Sequence, residues 1–146
     1  MIVRNLLVGL PAMLVCLFIQ VSFAYWSMRY YVRHSTGVNL GAPVRSLTPL
    51  LVAMLIMMLG TVVEVALWGL LFVVLGEFDE FYESVYHSAV NFASLGYGDI
   101  VMSRPWKLLG PLEALCGVLM LGMNAAVLMA ILQQMIKSQR AALGLQ

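Results

Sequence analysis

The residues of this chain best suited to chemistry form one short run, Ser-Leu-Gly-Tyr-Gly-Asp, at positions 94–99. Gly96 and Gly98 alternate with larger residues, and glycine adopts left-handed backbone angles without steric cost. Successive backbone carbonyls can then point toward one axis. Four such loops, one from each of four subunits, would replace the hydration shell of a cation with rings of carbonyl oxygens. Tyr97, between the glycines, would pack outward and hold the diameter of the loop.

The composition is that of a membrane protein. Of the 146 residues, 62% are hydrophobic and only 10% are charged, and the mean hydropathy is +0.94. A soluble domain of this size could not bury so much apolar surface. The net charge of +1 gives no indication of nucleic-acid binding. Neither His34 nor His87 has a nucleophile placed beside it, so we predict no enzyme. Cys16 and Cys116 lie in apolar runs, which is typical of small buried residues rather than of a disulfide or metal site.

Three segments are long enough to cross a bilayer, which requires about 20 apolar residues. They are predicted at Leu6 to Tyr25, Leu50 to Gly76 and Leu108 to Ile136. Between the second and third spans lies a more polar segment, Glu77 to Lys107, which holds an amphipathic stretch from about Phe81 to Ala93 and then the glycine loop. This order suits a re-entrant pore, because non-helical backbone at membrane depth persists only where protein buries it or where it lines a water-filled cavity.

The segment Arg33 to Pro49 is predicted to be a loop because it is rich in glycine and proline. These residues are Gly37, Gly41, Pro43 and Pro49. The predicted organisation is therefore a first span with a cytoplasmic linker at residues 1–49, a pore domain at 50–137 and a short cytoplasmic tail at 138–146.

The distribution of charge predicts the orientation of the chain. Cations around the first linker and after the last span place both regions in the cytoplasm; they are Arg29, Arg33, Arg45, Lys137 and Arg140. The acidic residues outside the spans lie in the pore segment, which should therefore face outward; they are Glu77, Asp79, Glu80, Glu83 and Asp99. We expect a multi-pass plasma-membrane protein (inner membrane if bacterial) with its N-terminus outside and its C-terminus in the cytoplasm. A cleaved signal peptide at residues 1–24 and a first segment lying on the cytoplasmic interface are the alternatives.

Residues 50–137 resemble the pore domain of the tetrameric potassium channel superfamily, whose signature is T-x-x-T-x-G-Y-G-D after a pore helix. The corresponding run here, Asn91 to Asp99, is N-F-A-S-L-G-Y-G-D. Its last four residues match fully, whereas Ser94 stands where the family has Thr and Leu95 where it usually has Val. The third span also resembles small bacterial ion-channel proteins that carry P-L-E-A-L-x-G-x-L-M-x-G, here Pro111 to Gly122.

The resemblance implies a homotetramer in the lipid bilayer that conducts potassium ions passively, with potassium as permeant ligand and no cofactor. The residues implied as the selectivity filter are Ser94, Leu95, Gly96, Tyr97 and Gly98, with potassium held at the first four. Ser94 keeps a hydroxyl but lacks the methyl that stiffens Thr, so we expect a looser innermost ion site. In some relatives a pore-helix Glu braces the filter Asp. Here the aligned residue is Val90, which leaves Tyr86 or His87 as a replacement brace or as ordinary packing.

Further residues have both a functional and a structural interpretation. Asp99 with Glu77, Asp79 and Glu80 would form a negative vestibule that concentrates cations, although carboxylates also favour the start of a helix. Glu64 lies in mid-span, where a carboxylate costs about 2.5–3.5 kcal/mol; it is either a proton-sensing gate or a structural hydrogen-bonding group with Gln20 or Asn124.

Three residues of the last span complete the set of candidates. Glu113 either favours the helix start or contacts the pore helix behind the filter. Gly117 and Gly122 are candidate gating hinges, with close helix packing as the more common explanation.

We therefore expect an all-α membrane protein with three transmembrane helices per subunit, a re-entrant pore helix and a selectivity-filter loop in a tetrameric pore. The alternatives are a weakly selective monovalent cation channel and a non-conducting accessory subunit. Neither of the first two spans carries a basic residue at every third position, so no voltage sensor is predicted.

Overall fold

The computed structural model describes residues 1–35 and 43–142, and these residues form helices without any strand. The four helices are α1 (Ile2–His34), α2 (Pro43–Val74), α3 (Phe81–Phe92) and α4 (Leu109–Ala142). Three of them are long and apolar enough to cross a membrane. The structure thereby confirms the all-α class with three spanning helices and one short helix between the second and third.

The spanning helices run further than the apolar segments of the sequence. They contain 33, 32 and 34 residues, and about 1.5 Å per residue makes each close to 50 Å long, more than the hydrocarbon core of about 30 Å. Their polar ends therefore extend beyond the apolar layer. Only 22–28% of the most apolar part of each helix is buried within the chain, so the chain itself leaves most of that apolar surface uncovered.

One predicted loop is wrong at its ends. The predicted loop from Arg33 to Pro49 is helical at its C-terminal end, because α2 begins at Pro43 and contains Pro49. Pro43 opens the helix, where its missing N–H has no intrahelical partner, whereas Pro49 lies beyond the first turn and removes one intrahelical hydrogen bond. Gly37 and Gly41 lie outside the described residues. At the other end of the chain, α4 continues to Ala142.

A glycine turn separates α2 from α3. Gly76 has a φ of +72°, and its N–H donates to the carbonyl of Val73 at 2.9 Å, while the N–H of Glu77 donates to Phe72 at 3.0 Å. These bonds satisfy carbonyls at the end of α2 in the manner of a glycine-terminated helix. The turn redirects the chain, and α3 begins at Phe81.

The chain divides into two compact units, and the first contains the pore segment. It comprises residues 1–19 and 61–121. Here α2 and α3 approach closely at Gly69, where a Cβ atom would lie 2.9 Å from Cγ2 of Val85. The hydroxyls of Ser84 and Ser88 donate to the carbonyls of Gly69 (2.6 Å) and Val65 (2.8 Å). Small residues and hydroxyl bonds of this kind hold helices together in an apolar environment.

The second unit contains residues 20–60 and 122–146. In its described part, Tyr31, Leu50, Ala53 and Ile131 form a buried apolar cluster. Ser27 donates its hydroxyl to the carbonyl of Ala53 at 3.0 Å. These contacts join residues from α1, α2 and α4.

Candidate functional site

The glycine loop adopts an alternating backbone. Ser94, Gly96 and Gly98 have φ values of +58°, +57° and +73°, so every second residue occupies the left-handed region. This matches the alternation predicted for the two glycines and extends it to Ser94, a residue for which a positive φ is uncommon. Such an alternation turns successive carbonyls in the direction that a ring of cation ligands requires.

The last turn of α3 holds the beginning of the loop. The N–H of Ser94 donates to the carbonyl of Asn91 at 2.8 Å, and the N–H of Leu95 donates to the carbonyl of Val90 at 2.9 Å. Helices leave their final carbonyls without intrahelical partners, and here the loop supplies the donors. The position of the loop is therefore coupled to the end of α3.

A side-chain hydrogen bond restrains the outer end of the loop. The hydroxyl of Tyr86 donates to Oδ2 of Asp99 at 2.7 Å, so Tyr86 is the residue that braces Asp99. Hydrogen bonding to a carboxylate favours its charged form. The hydrogen bond from Tyr86 accordingly holds the pKa of Asp99 below its usual range. The same bond raises the pKa of the Tyr86 hydroxyl.

His87 is buried against aromatic side chains. It is 7% exposed, packs against the rings of Phe72 and Phe78, and its Nε2 lies 2.8 Å from the amide nitrogen of Asn91. Because the amide donates, this ring nitrogen accepts in the neutral imidazole. Burial lowers the pKa of His87, which also favours the neutral form.

Glu113 connects the beginning of α4 to the middle of α3. The carboxyl group is fully buried, and its Oε1 shares the single hydroxyl proton of Ser88 with the carbonyl of Val65. Glu113 therefore contacts α3, as one of the two interpretations from sequence expected. The sequence analysis missed Ser88. Its signal was the spacing of Ser84 and Ser88, four residues apart and therefore on one face of α3.

The two glycines of α4 differ in their surroundings. A Cβ atom on Gly117 would lie 1.9 Å from the carbonyl oxygen of Phe92, whereas a Cβ atom on Gly122 would meet nothing within 4 Å. Gly117 therefore allows α4 to pass directly against the last residue of α3. Close packing explains Gly117 without a hinge.

The acidic residues around the loop are not equivalent. The carboxylate of Glu77 accepts the N–H of Ser103 at 2.6 Å and also the hydroxyl of the same residue, so it restrains the segment that follows the glycine loop. Asp79 and Glu80 are exposed. Glu80 occupies the position before α3 but makes no side-chain capping bond, which leaves both carboxylates available to a vestibule.

Glu64 is fully buried in α2. Among the described residues neither of its carboxyl oxygens has a hydrogen-bond partner. The two residues considered as its partners bond to each other, since the Gln20 amide donates to Oδ1 of Asn124. Cys16 and Cys116 are free, buried thiols.

A model of the ion channel family matches residues 60–134, just over half of the 146 residues. The matched segment begins within α2, includes α3 and the alternating loop, and ends within α4. It is the same region that resembles a two-helix potassium-channel pore domain. No curated protein and no solved structure matches this chain.

Proposed function

This chain belongs to the ion channel family, and we propose on that premise that it is one subunit of a homotetrameric, potassium-selective channel. The observation that carries the proposal is the alternation of left-handed backbone angles at Ser94, Gly96 and Gly98. Potassium is a hard cation that takes oxygen ligands, and the carbonyls of Ser94, Leu95, Gly96 and Tyr97 would supply them in four-fold rings. Conduction would be passive, with ions in single file.

Assembly into a tetramer is supported by the exposure of the loop. In the single chain Leu95 is 55% exposed and Tyr97 is 66% exposed, although both lie in the segment that would surround the ions. Neighbouring subunits would cover these side chains and hold the diameter of the filter. The mass of the detergent-solubilised complex, measured by native mass spectrometry, tests the four-fold stoichiometry.

The orientation follows from charge. We propose that the N-terminus and the filter mouth face outward, that the C-terminus is cytoplasmic and that the protein resides in the plasma membrane, or the inner membrane of a bacterium. In a tetramer the exposed carboxylates of Asp79, Glu80 and Asp99 would each occur four times. Together they would raise the local concentration of cations at the entrance.

Two residues remain candidates for gating. Gly122 lies in α4, where an added Cβ atom would meet nothing within 4 Å, so packing against the described part of the chain does not account for this glycine. Glu64 is the candidate proton sensor, because a buried carboxyl group without a hydrogen-bond partner is costly to ionise in an apolar environment. A Glu64→Gln variant whose flux keeps the pH dependence of the wild type would remove the sensor role.

Potassium flux by the purified protein in liposomes, with external barium as blocker, tests the function. Gly96→Ala should abolish selective flux, because a side chain opposes the left-handed angle that aligns the carbonyls. Gly76→Ala is a matched control: its φ of +72° carries the same local strain and its Cβ also meets nothing within 4 Å, but it lies outside the filter. Gly76→Ala should therefore retain selectivity.

The two alternatives give different results in the same liposomes. A weakly selective cation channel, favoured by the departures at Ser94 and Leu95, would pass sodium about as well as potassium. A non-conducting accessory subunit would give no flux from the purified protein alone. Flux that survives Gly96→Ala would contradict the carbonyl filter itself.

A further inference from the structure

The first turns of α1 contact the segment that joins the glycine loop to α4. The side-chain amide of Asn5 donates to the carbonyl of Pro105 at 2.8 Å and to the carbonyl of Met1 at 2.9 Å. Arg4 donates to the same Pro105 carbonyl at 3.3 Å, and its guanidinium lies 4.2 Å from the centre of the Trp106 ring. We call Arg4 and Asn5, with Pro105 and Trp106, the α1 contact. All four residues belong to the first compact unit.

Asn5 is buried at this contact, being 2% exposed. A buried amide costs free energy unless it is hydrogen bonded, and here the amide nitrogen donates to two carbonyls. A flipped amide would place its oxygen against both carbonyls, so the nitrogen is the group that faces Pro105. Four residues further along α1, a Cβ atom on Gly9 would lie 2.6 Å from Cδ1 of Leu112. The same face of α1 therefore packs closely on the beginning of α4.

The segment held by the α1 contact leads from the outer end of the glycine loop into α4. Its first restraint is Glu77, which accepts the N–H and the hydroxyl of Ser103. The N–H of Trp106 donates to the carbonyl of Ser103 at 3.1 Å, and the N–H of Leu109 donates to the carbonyl of Trp106 at 2.9 Å. These bonds form consecutive turns. The segment is thus attached to the turn after α2 through Glu77 and to α1 through Asn5.

The glycine loop has little packing of its own within one chain. A cavity of about 250 Å³ is lined by Gly96 and Gly98 of the loop, by Asn91 of α3 and by Pro111 of α4, among others. A Cβ atom on either loop glycine would meet nothing within 4 Å. Within one chain, the position of the loop therefore depends on the bonds at its two ends more than on side-chain packing.

We propose that the α1 contact is a positioning element for the C-terminal end of the filter, at Gly98 and Asp99. It holds the following segment at Pro105, so that the end of the loop keeps the spacing that rings of carbonyl ligands require. The match to the ion channel family begins at residue 60, so α1 is an addition to the matched pore segment. The role rests on the proposed function, because ion selectivity is the property that the contact protects.

Three variants test this role. Asn5→Leu has a side chain of similar size that cannot donate a hydrogen bond. Arg4→Met removes the cation and keeps an apolar stem, and Arg4 is exposed, so this second variant should fold. Ser27→Ala is the matched control. Ser27 is also a buried residue of α1 and also donates to a backbone carbonyl, that of Ala53 at 3.0 Å, but it lies in the second compact unit.

Hydrogen exchange of the purified full chain, measured by mass spectrometry on peptides covering residues 103–109, reports on the segment. Loss of one neutral hydrogen bond changes a local equilibrium by about fivefold. The amides of Trp106 and Leu109 should therefore exchange about fivefold faster in Asn5→Leu and about twofold faster in Arg4→Met. Ser27→Ala should keep the wild-type rates. Wild-type rates in Asn5→Leu, or an equal increase throughout its chain, would overturn the proposal.

Flux in liposomes reports on the filter. Asn5→Leu should raise the sodium-to-potassium permeability ratio by up to about fivefold, whereas Ser27→Ala should keep the wild-type ratio. A lower yield of folded protein would reduce the number of pores without changing this ratio. A selective wild type whose ratio is unchanged in Asn5→Leu would refute the role of α1 alone. A wild type without selective flux would refute the proposed function, and the positioning role with it.

Discussion

Replacement of Gly117 by alanine places a methyl group against backbone. The new Cβ would lie 1.9 Å from the carbonyl oxygen of Phe92 and 2.8 Å from its carbonyl carbon. Carbon–oxygen contacts normally begin at about 3.3 Å, so α3 and α4 must separate by more than 1 Å. No rotamer change can relieve the overlap, because neither atom belongs to a side chain.

The expected cost is large for a single methyl group. Overpacking typically costs about 1–3 kcal/mol and more where backbone must move, whereas alanine gains about 1 kcal/mol over glycine in a helix. We therefore expect Gly117→Ala to lower the free energy of unfolding by about 2 kcal/mol. Phe92 lies two residues before Ser94, so the displacement should also reach the filter and reduce potassium flux.

Gly122→Ala is the control for this experiment. It lies in the same helix with no atom within 4 Å of its Cβ, so alanine should leave stability unchanged or raise it by up to about 1 kcal/mol. Denaturant unfolding of the purified protein gives the stability of each variant, and liposome flux gives its function. If Gly117→Ala proves as stable as Gly122→Ala, the packing explanation is wrong. Retained stability with altered gating would favour a hinge at Gly117.

Three further predictions concern the polar groups around the filter. Ser88→Ala should lower the free energy of unfolding by about 1–3 kcal/mol, because it deprives the buried carboxyl of Glu113 of a donor; denaturant titration measures this. Tyr86→Phe should raise the pKa of Asp99 toward its ordinary range, which an NMR pH titration detects, and an unchanged pKa would contradict the brace. Burial lowers the pKa of His87 below the ordinary 6.5, so as the pH falls the unfolded state takes up the proton before the folded state does. The free energy of unfolding should therefore decrease as the pH drops through 6.5, by up to about 1.4 kcal/mol per pH unit. His87→Gln should flatten that slope between pH 7.5 and 5.5, and an equal slope in the variant would refute the assignment.

The helices and the loop backbone were predictable because local features determine them. Long apolar runs predict spanning helices, and alternating glycines at 96 and 98 predict the left-handed angles that the structure has. The helix ends were not predictable in the same way. Hydropathy detects the apolar layer, whereas the backbone continues as a helix through polar residues until an interruption such as Gly76.

Contacts between helices were harder to predict because they depend on which faces meet. Glu113 was a residue with two interpretations until its partner Ser88, 25 positions away, identified one of them. For Glu64, in contrast, the described part of the structure does not contain the hydrogen bonds that were expected. Any polar residue in an adjacent span was a reasonable partner, yet Gln20 and Asn124 bond to each other.

The bonds from Ser84 and Ser88 to carbonyls of α2 have a consequence for the order in which the protein is built. Both partners precede α4 in the chain, so α3 can dock on α2 while α4 is still being synthesised, as expected for a chain that folds from its N-terminus. Glu113 and Gly117 arrive later. The contacts that hold α3 therefore fall into two sets by chain order: those with α2, whose partners are complete before α4 is made, and those with Glu113 and Gly117, which can form only afterwards.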